Sequence, residues 1–329
     1  SEVYKRQLKQ EDMNMRISIA NIFTHLFLLL ALLATASCSD WTDQKTVDID
    51  PQHAKEQNPE LWARYMEALR TYRQSKHFVT YGSFDNSAEK SKNEGDYLRS
   101  LPDSLDIVTP THPESLTSYD CEDILLLQEK SIKVLYFVDY TAQMPTLTDA
   151  GKLGAWLDKA VAAASQLGMN GFAIKGTPLY GGTEAEQTAR REAAKLIVSK
   201  LSTAVGDGKL LVFEGDPAFM DAADLNKLDY VVLNTATITS AVDLKLYVAG
   251  VIENFSIPKE KLLLSAKINE KLVDEEGEKL DAVTEMTNRV VSLGPVGGLA
   301  IYALGDDYYH TKMNYETSRL AIQIMNPSK

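Results

Sequence analysis

A regular alternation beginning near residue 77 constrains this chain more than any other feature. Short runs of β-forming residues occur at His77–Ser83, Leu105–Thr109, Lys133–Asp139, Asn170–Lys175, Lys209–Glu214, Asp229–Asn234, Leu262–Lys267 and Gly298–Ala303. Between them lie segments with apolar residues at helical spacing, such as Asp149–Leu167, Thr183–Val205, Ser240–Phe255 and Leu280–Leu293. Several open on capping residues, for example Ser240 followed by Asp243. The runs are apolar on both faces, as buried parallel strands should be. Eight strand–helix units over about 250 residues predict an α/β fold, a single (β/α)8 TIM barrel. The competing architecture is an open doubly wound sheet, which usually has fewer strands and a glycine-rich first turn. Here the first run is followed by Gly82-Ser83-Phe84-Asp85-Asn86, without a phosphate-binding pattern. Gly294-Pro295-Val296-Gly297-Gly298 lacks the Lys-Ser/Thr of a phosphate loop and reads as the turn into the last strand.

Ahead of the barrel, Asn58-Pro59 is a helix start, and Leu61, Trp62, Tyr65, Leu69 and Tyr72 recur at helical spacing. Residues 38–58 are polar, acidic and aperiodic, which suits a tether. Before them, Arg16 supplies a small positive region, and the apolar run Ile22–Ala36 is too short to span a bilayer comfortably. Ala36 and Ser37 stand directly before Cys38, which resembles a bacterial lipobox: cleavage before Cys38 and a lipid on its thiol. An ordinary secretory signal is the alternative. The expected division is residues 1–37 as upstream extension and signal, 38–58 as tether, and 59–329 as barrel.

The formal charge is −12, and residues 1–37 contribute +1 of it, so the processed chain would carry −13. Such a balance disfavours nucleic acid and anionic lipid surfaces as partners, leaving acyl chains as the route to the membrane. The second cysteine, Cys121, then has no partner for an intramolecular disulfide and is expected to be a buried, inert thiol in a helix. Five scattered histidines form no metal-ligand spacing, and His112 beside Glu114 reads as a loop residue. No Gly-x-Ser-x-Gly elbow occurs, and no cofactor is implied.

The fourth run and its continuation read Asn170-Gly171-Phe172-Ala173-Ile174-Lys175-Gly176-Thr177. This resembles the Asp-Gly-x-Asp-x-Asp-x-Glu signature of glycoside hydrolase family 18, the chitinases and endo-β-N-acetylglucosaminidases. Gly171, Phe172 and Ile174 keep the strand, while Asn170, Ala173, Lys175 and Thr177 stand where the signature has carboxyl groups. Strand periodicity puts Ala173, Lys175 and Thr177 on one face. The resemblance implies that this face carries the acids of a substrate-assisted mechanism, in which a glutamic acid protonates the glycosidic oxygen. Thr177 cannot donate a proton at a useful pKa, so the inherited catalysis should be lost. General acid catalysis alone typically contributes about 10²–10⁴-fold.

Ligand contacts in a barrel lie at the C-terminal ends of the strands. That rule selects Tyr81, Asp139, Tyr140, Lys175, Tyr180, Glu214, Asn234, Lys267 and Tyr302 as candidate ligand-binding residues, with Asp85 and Asp216 nearby. A barrel lysine must be paired, and Asp139 and Glu214 flank it. Lys175 is therefore either a salt-bridged plug of the old site or a donor to a sugar. The tyrosines are either stacking platforms or ordinary rim residues. A relocated acid pair, Glu214 with Asp139, is a further alternative.

Together with the lipobox, the resemblance is to family 18-like lipoproteins of gut Bacteroidetes. It implies a lipid-anchored glycan-binding protein at the outer-membrane surface, holding N-acetylglucosamine-containing oligosaccharides for neighbouring uptake proteins. Two other functions stay open: a glycosidase using acids such as Glu214, and a protein-binding scaffold.

Overall fold

In the computed structural model, residues 54–327 are described, except for residues 89 and 293–295. The apolar run Ile22–Ala36, the lipobox at Cys38 and the tether up to residue 53 lie outside the described residues. The chain divides into two units, residues 1–59 and 60–329. Of the first, a short helix, Ala54–Gln57, is described.

The larger unit follows the alternation read from the sequence. Its strands are β1 Val79–Phe84, β2 Ile107–Pro110, β3 Lys133–Val134, β4 Tyr136–Asp139, β5 Gly171–Gly176, β6 Leu210–Gly215, β7 Tyr230–Leu233, β8 Leu262–Lys267, β9 Lys271–Val273, β10 Lys279–Asp281 and β11 Gly298–Tyr302. Nine form one parallel sheet in the order β3-β2-β1-β11-β8-β7-β6-β5-β4. Its two ends, β3 and β4, are consecutive in the chain and separated by Leu135 alone. The run Lys133–Asp139 is thus one barrel strand in two pieces, the first paired with β2 and the second with β5. The result is a nearly closed parallel barrel of the (β/α)8 type.

Alternation along the strands separates two cores. Tyr81, Ile107, Leu135, Ala173, Val212, Val232, Leu263 and Ala300 point inward and fill the barrel as one cluster. Phe172, Ile174, Leu211, Phe213, Leu262 and Leu264, on the opposite face, pack beneath the helices. The main covering helices are Ser118–Glu129, Ala150–Gln166, Glu184–Ala204, Ala241–Asn254, Ala282–Ser292 and Glu316–Met325. Their starts are fixed locally: Thr117 and Thr183 form reciprocal capping boxes with Asp120 and Glu186, and the Ser240 hydroxyl accepts from Asp243 N.

Two junctions hold the barrel's ends. Gly171 opens β5 with φ +127°, and a Cβ there would sit 1.9 Å from the Leu210 carbonyl oxygen, so only glycine fits. Asn326, just past the last helix, accepts from Phe78 N at 2.9 Å and donates to Phe78 O at 2.9 Å and the Tyr72 hydroxyl at 3.1 Å. It thereby ties the chain's end to the entry of β1 and to the helix Pro59–Gln74.

The structure departs from the sequence reading in two places. The segment Leu280–Leu293 begins as strand β10, which pairs antiparallel with β9 as a hairpin after β8; the helix starts at Ala282. Cys121 does lie in a helix, but it is half-buried rather than buried.

Candidate functional site

At the mouth of the barrel, three consecutive strands present chemically different groups at one register level. Asp139 on β4 is opposite Lys175 on β5, and Lys175 is opposite Glu214 on β6. Their surroundings then separate them.

Glu214 turns into the barrel and is only 5% exposed. Its Oε1 accepts from the Tyr81 hydroxyl of β1, and its Oε2 accepts from the Tyr302 hydroxyl of β11 at 3.0 Å. The three side chains bridge the barrel just above the apolar interior. Burial is the main influence on the Glu214 carboxyl and raises its pKa; the two tyrosines and Lys175 oppose that shift, and Asp139 adds to it. Burial, and then the charge of Glu214, push both tyrosine hydroxyls well above their ordinary value.

Lys175 instead reaches outward, 47% exposed, with Nζ 3.3 Å from Asp139 Oδ2. The other oxygen of Asp139 accepts from Ala142 N at 2.9 Å, capping a short helix Tyr140–Gln143. Of the two partners expected for Lys175, Asp139 forms the ion pair, while Glu214 is occupied by the tyrosines. Thr177 is exposed: its hydroxyl lies 3.1 Å from that of Thr141, and its carbonyl accepts from Arg190 Nη1 at 2.8 Å. The three positions along β5 and just past it therefore carry an inward methyl group, a half-exposed ammonium and an exposed hydroxyl. None is a proton donor of carboxylic strength.

The remaining candidates are spread around this centre. Tyr180, 75% exposed on the loop after β5, donates to Asp216, and its hydroxyl is pushed up to about 12, first by desolvation and then by that carboxylate. Asn234 is exposed at the end of β7. Lys267 ends β8 beside Tyr302 on β11 and pairs with Glu270 at 3.5 Å. Tyr140 is 5% exposed and packs outside the barrel against Phe219, at 5.9 Å between ring centroids, with the Arg190 guanidinium 5.8 Å from its own centroid. Tyr81 is fully buried. Neither ring offers an open face to a sugar. Tyr180 has an open surface, and Tyr302 is part-exposed.

Two contributors were not visible in the sequence. Ser265, inward on β8, donates to Leu233 O at 2.6 Å, and Thr235 Oγ1 donates to Ser265 O at 2.8 Å. This buried knot fixes the strand ends that carry Asn234 and Lys267. Ser265 falls on the inward alternation of Leu262–Lys267, and that periodicity was the one available signal. Arg190, from the helix after the Tyr180 loop, braces both Tyr140 and Thr177. His112 stands in a loop, 3.5 Å from Glu114 and 3.8 Å from Asp85. Among the described residues, no group of three or more His, Cys, Asp or Glu side chains is placed to hold a metal ion.

The sequence matches the family described as "Glycoside hydrolase family 18, BT1044-like" over residues 42–152 and 147–324. No curated protein sequence matches the chain. Among solved structures, BT1044 is similar with a TM-score of 0.67 at 17% identity, covering 84% of this chain and 96% of that one. An endo-β-N-acetylglucosaminidase from Cordyceps militaris in apo form gives a TM-score of 0.60 at 18% identity, covering 80% of this chain and 95% of that one. YKL-39, crystallised in the presence of chitooligosaccharides, gives 0.58 at 10% identity, covering 77% of this chain and all (100%) of that one. At these identities the structural likenesses establish the fold, whereas the family match spans most of the sequence. The chain belongs to glycoside hydrolase family 18, in its BT1044-like group.

Proposed function

We propose that this chain binds glycans at the mouth of a family 18 barrel without cleaving them by the family's mechanism. Its ligands would be oligosaccharides containing N-acetylglucosamine, host N-glycans among them. One observation carries the reading: Ala173 faces the barrel interior, Lys175 at the mouth end of β5 pairs with Asp139, and Thr177 just beyond the strand is exposed, so none of the three supplies a carboxyl group. The half-exposed ammonium and the exposed Thr177 and Tyr180 hydroxyls supply hydrogen-bonding groups, which suit sugar hydroxyls. The chitooligosaccharides present with YKL-39, and the endo-β-N-acetylglucosaminidase among the structural neighbours, support this ligand class. A lipid on Cys38 would hold the protein at the outer-membrane surface, where it would present glycans to uptake proteins.

A second reading is favoured by one observation. Glu214 is a buried carboxyl whose raised pKa is what a general acid requires. Against it, both oxygens already accept tyrosine hydrogen bonds, and the group is 5% exposed. The test is incubation of the full chain with N-glycans and chitin oligosaccharides, reading binding and products in the same samples. Binding without products supports the proposal. Products that vanish in Glu214→Gln would replace it with hydrolysis, and the absence of both would favour a protein-binding scaffold.

A further inference from the structure

A cavity of about 460 Å³ opens at the base of the barrel, the pole opposite the mouth. Its floor includes Val79, Ile107, Leu210 and Tyr230, the first residues of β1, β2, β6 and β7, which belong to or pack on the interior column. Around this floor stand Arg70, Arg73 and Lys133, against a single lining carboxylate, Asp106. That carboxylate is already engaged: Oδ1 lies 3.0 Å from His77 Nε2, and Oδ2 accepts from Thr80 N at 2.8 Å.

The cations are less well matched. Lys133 lies on the same strand face as Leu135, and its Nζ donates to the Gly208 carbonyl at 3.2 Å; among the described residues it makes no ion pair. Arg73 donates to the carbonyls of Leu69, Asp103 and Leu105, and its charge is offset by the nearby Asp106 and Asp103 carboxylates without a direct ion pair. Arg70 pairs with Glu67, one turn away on an exposed helix face. With Arg70 paired to Glu67 and Arg73 beside Asp106, Lys133 is the least compensated cation over an apolar floor, in a chain of formal charge −12. The cavity's volume lies within the usual range for small-ligand sites, about 300–1,000 Å³.

We propose that this basal cavity is a second ligand site, separate from the mouth, for a small organic anion: a sugar-sized ring bearing a carboxylate or a phosphate. Lys133 and Arg70 make charge-assisted hydrogen bonds to the anionic oxygens, and the Ile107–Tyr230 floor receives the body of the ring. The inference does not depend on whether the mouth binds or cleaves glycans.

The test is calorimetric titration of the full chain with glucuronate, glucose 6-phosphate, inorganic phosphate and uncharged glucose. Saturable binding of glucuronate or glucose 6-phosphate, with none for glucose, is expected. Lys133→Gln and Arg70→Gln should each weaken it by roughly tenfold or more, since hydrogen bonds to charged groups are worth that much. Lys152→Gln, an equal loss of charge on the exposed start of the helix Ala150–Gln166, should leave it unchanged. Both cavity substitutions keep a polar side chain, and unchanged thermal unfolding confirms that the variants fold. The proposal is overturned if neither sugar anion binds, if inorganic phosphate binds as tightly as the sugar phosphate, or if Lys152→Gln weakens binding as much as Lys133→Gln does.

Discussion

Lys175 and Asp139 are register neighbours on β5 and β4, and they form an ion pair at 3.3 Å on the face of β5 where the family's acids stand. Because Lys175 is 47% exposed, the pair is worth at most about 1 kcal/mol to folding. Lys175→Ala should therefore shift urea-unfolding stability by less than about 1 kcal/mol, yet weaken oligosaccharide binding by roughly two- to tenfold through the lost donor. A large stability loss with unchanged binding would make Lys175 a structural plug.

Tyr81→Phe removes one of the two hydroxyls that satisfy Glu214, leaving a buried carboxyl oxygen without a donor. The expected cost is about 1–3 kcal/mol. Chemical denaturation of the variant beside the parent checks it.

The Glu214 carboxyl is raised in the folded chain above an unfolded value near 4.5. Between those two values the native state holds a proton that the unfolded state has released, so this group's contribution is complete below about pH 4.5 and is lost as pH rises through the folded pKa. Glu214→Gln cannot titrate. The difference in stability between parent and Glu214→Gln should therefore move against the parent as pH rises above 4.5. A difference that stays flat from pH 4.5 to 8 would contradict a raised Glu214 pKa.

Much of the barrel was legible because strand and helix periods are written into the apolar residues. All eight runs became strand, with ends moved by two residues at most apart from the break at Leu135. That break depends on which neighbour each half of Lys133–Asp139 pairs with, and such information does not lie in the run itself. The β9–β10 hairpin escaped because its strands are three residues each, too short for a period to show. For the site, the alternation placed Ala173 inward and Lys175 at the mouth end of β5, while Thr177 falls just beyond the strand, and the strand-end rule selected Glu214 and Tyr302, which the structure brings together. It could not say that Glu214 would turn inward to two tyrosines while Lys175 turned outward, since that depends on side chains from β1 and β11. Tyr140 was misleading for the same reason: strand-end position marked it as a rim residue, but Phe219 and Arg190 enclose its ring.

Gly171 is the surviving glycine of the family frame, and its role is steric. Gly171→Ala must place a Cβ against the Leu210 carbonyl from a φ of +127°, which costs at least about 2 kcal/mol and opens the β5–β6 ladder. Hydrogen exchange should show faster exchange for amides of β5 and β6 in that variant.

The most direct test of glycan binding without cleavage is an NMR titration with chitin tetramer, following backbone amides and the sugar's anomeric signals together. Saturable shifts confined to the mouth, including Lys175, Thr177 and Tyr180, with anomeric signals unchanged over days, are the predicted result. New reducing-end signals growing with time and absent in Glu214→Gln, or an absence of shifts at the mouth, would contradict it.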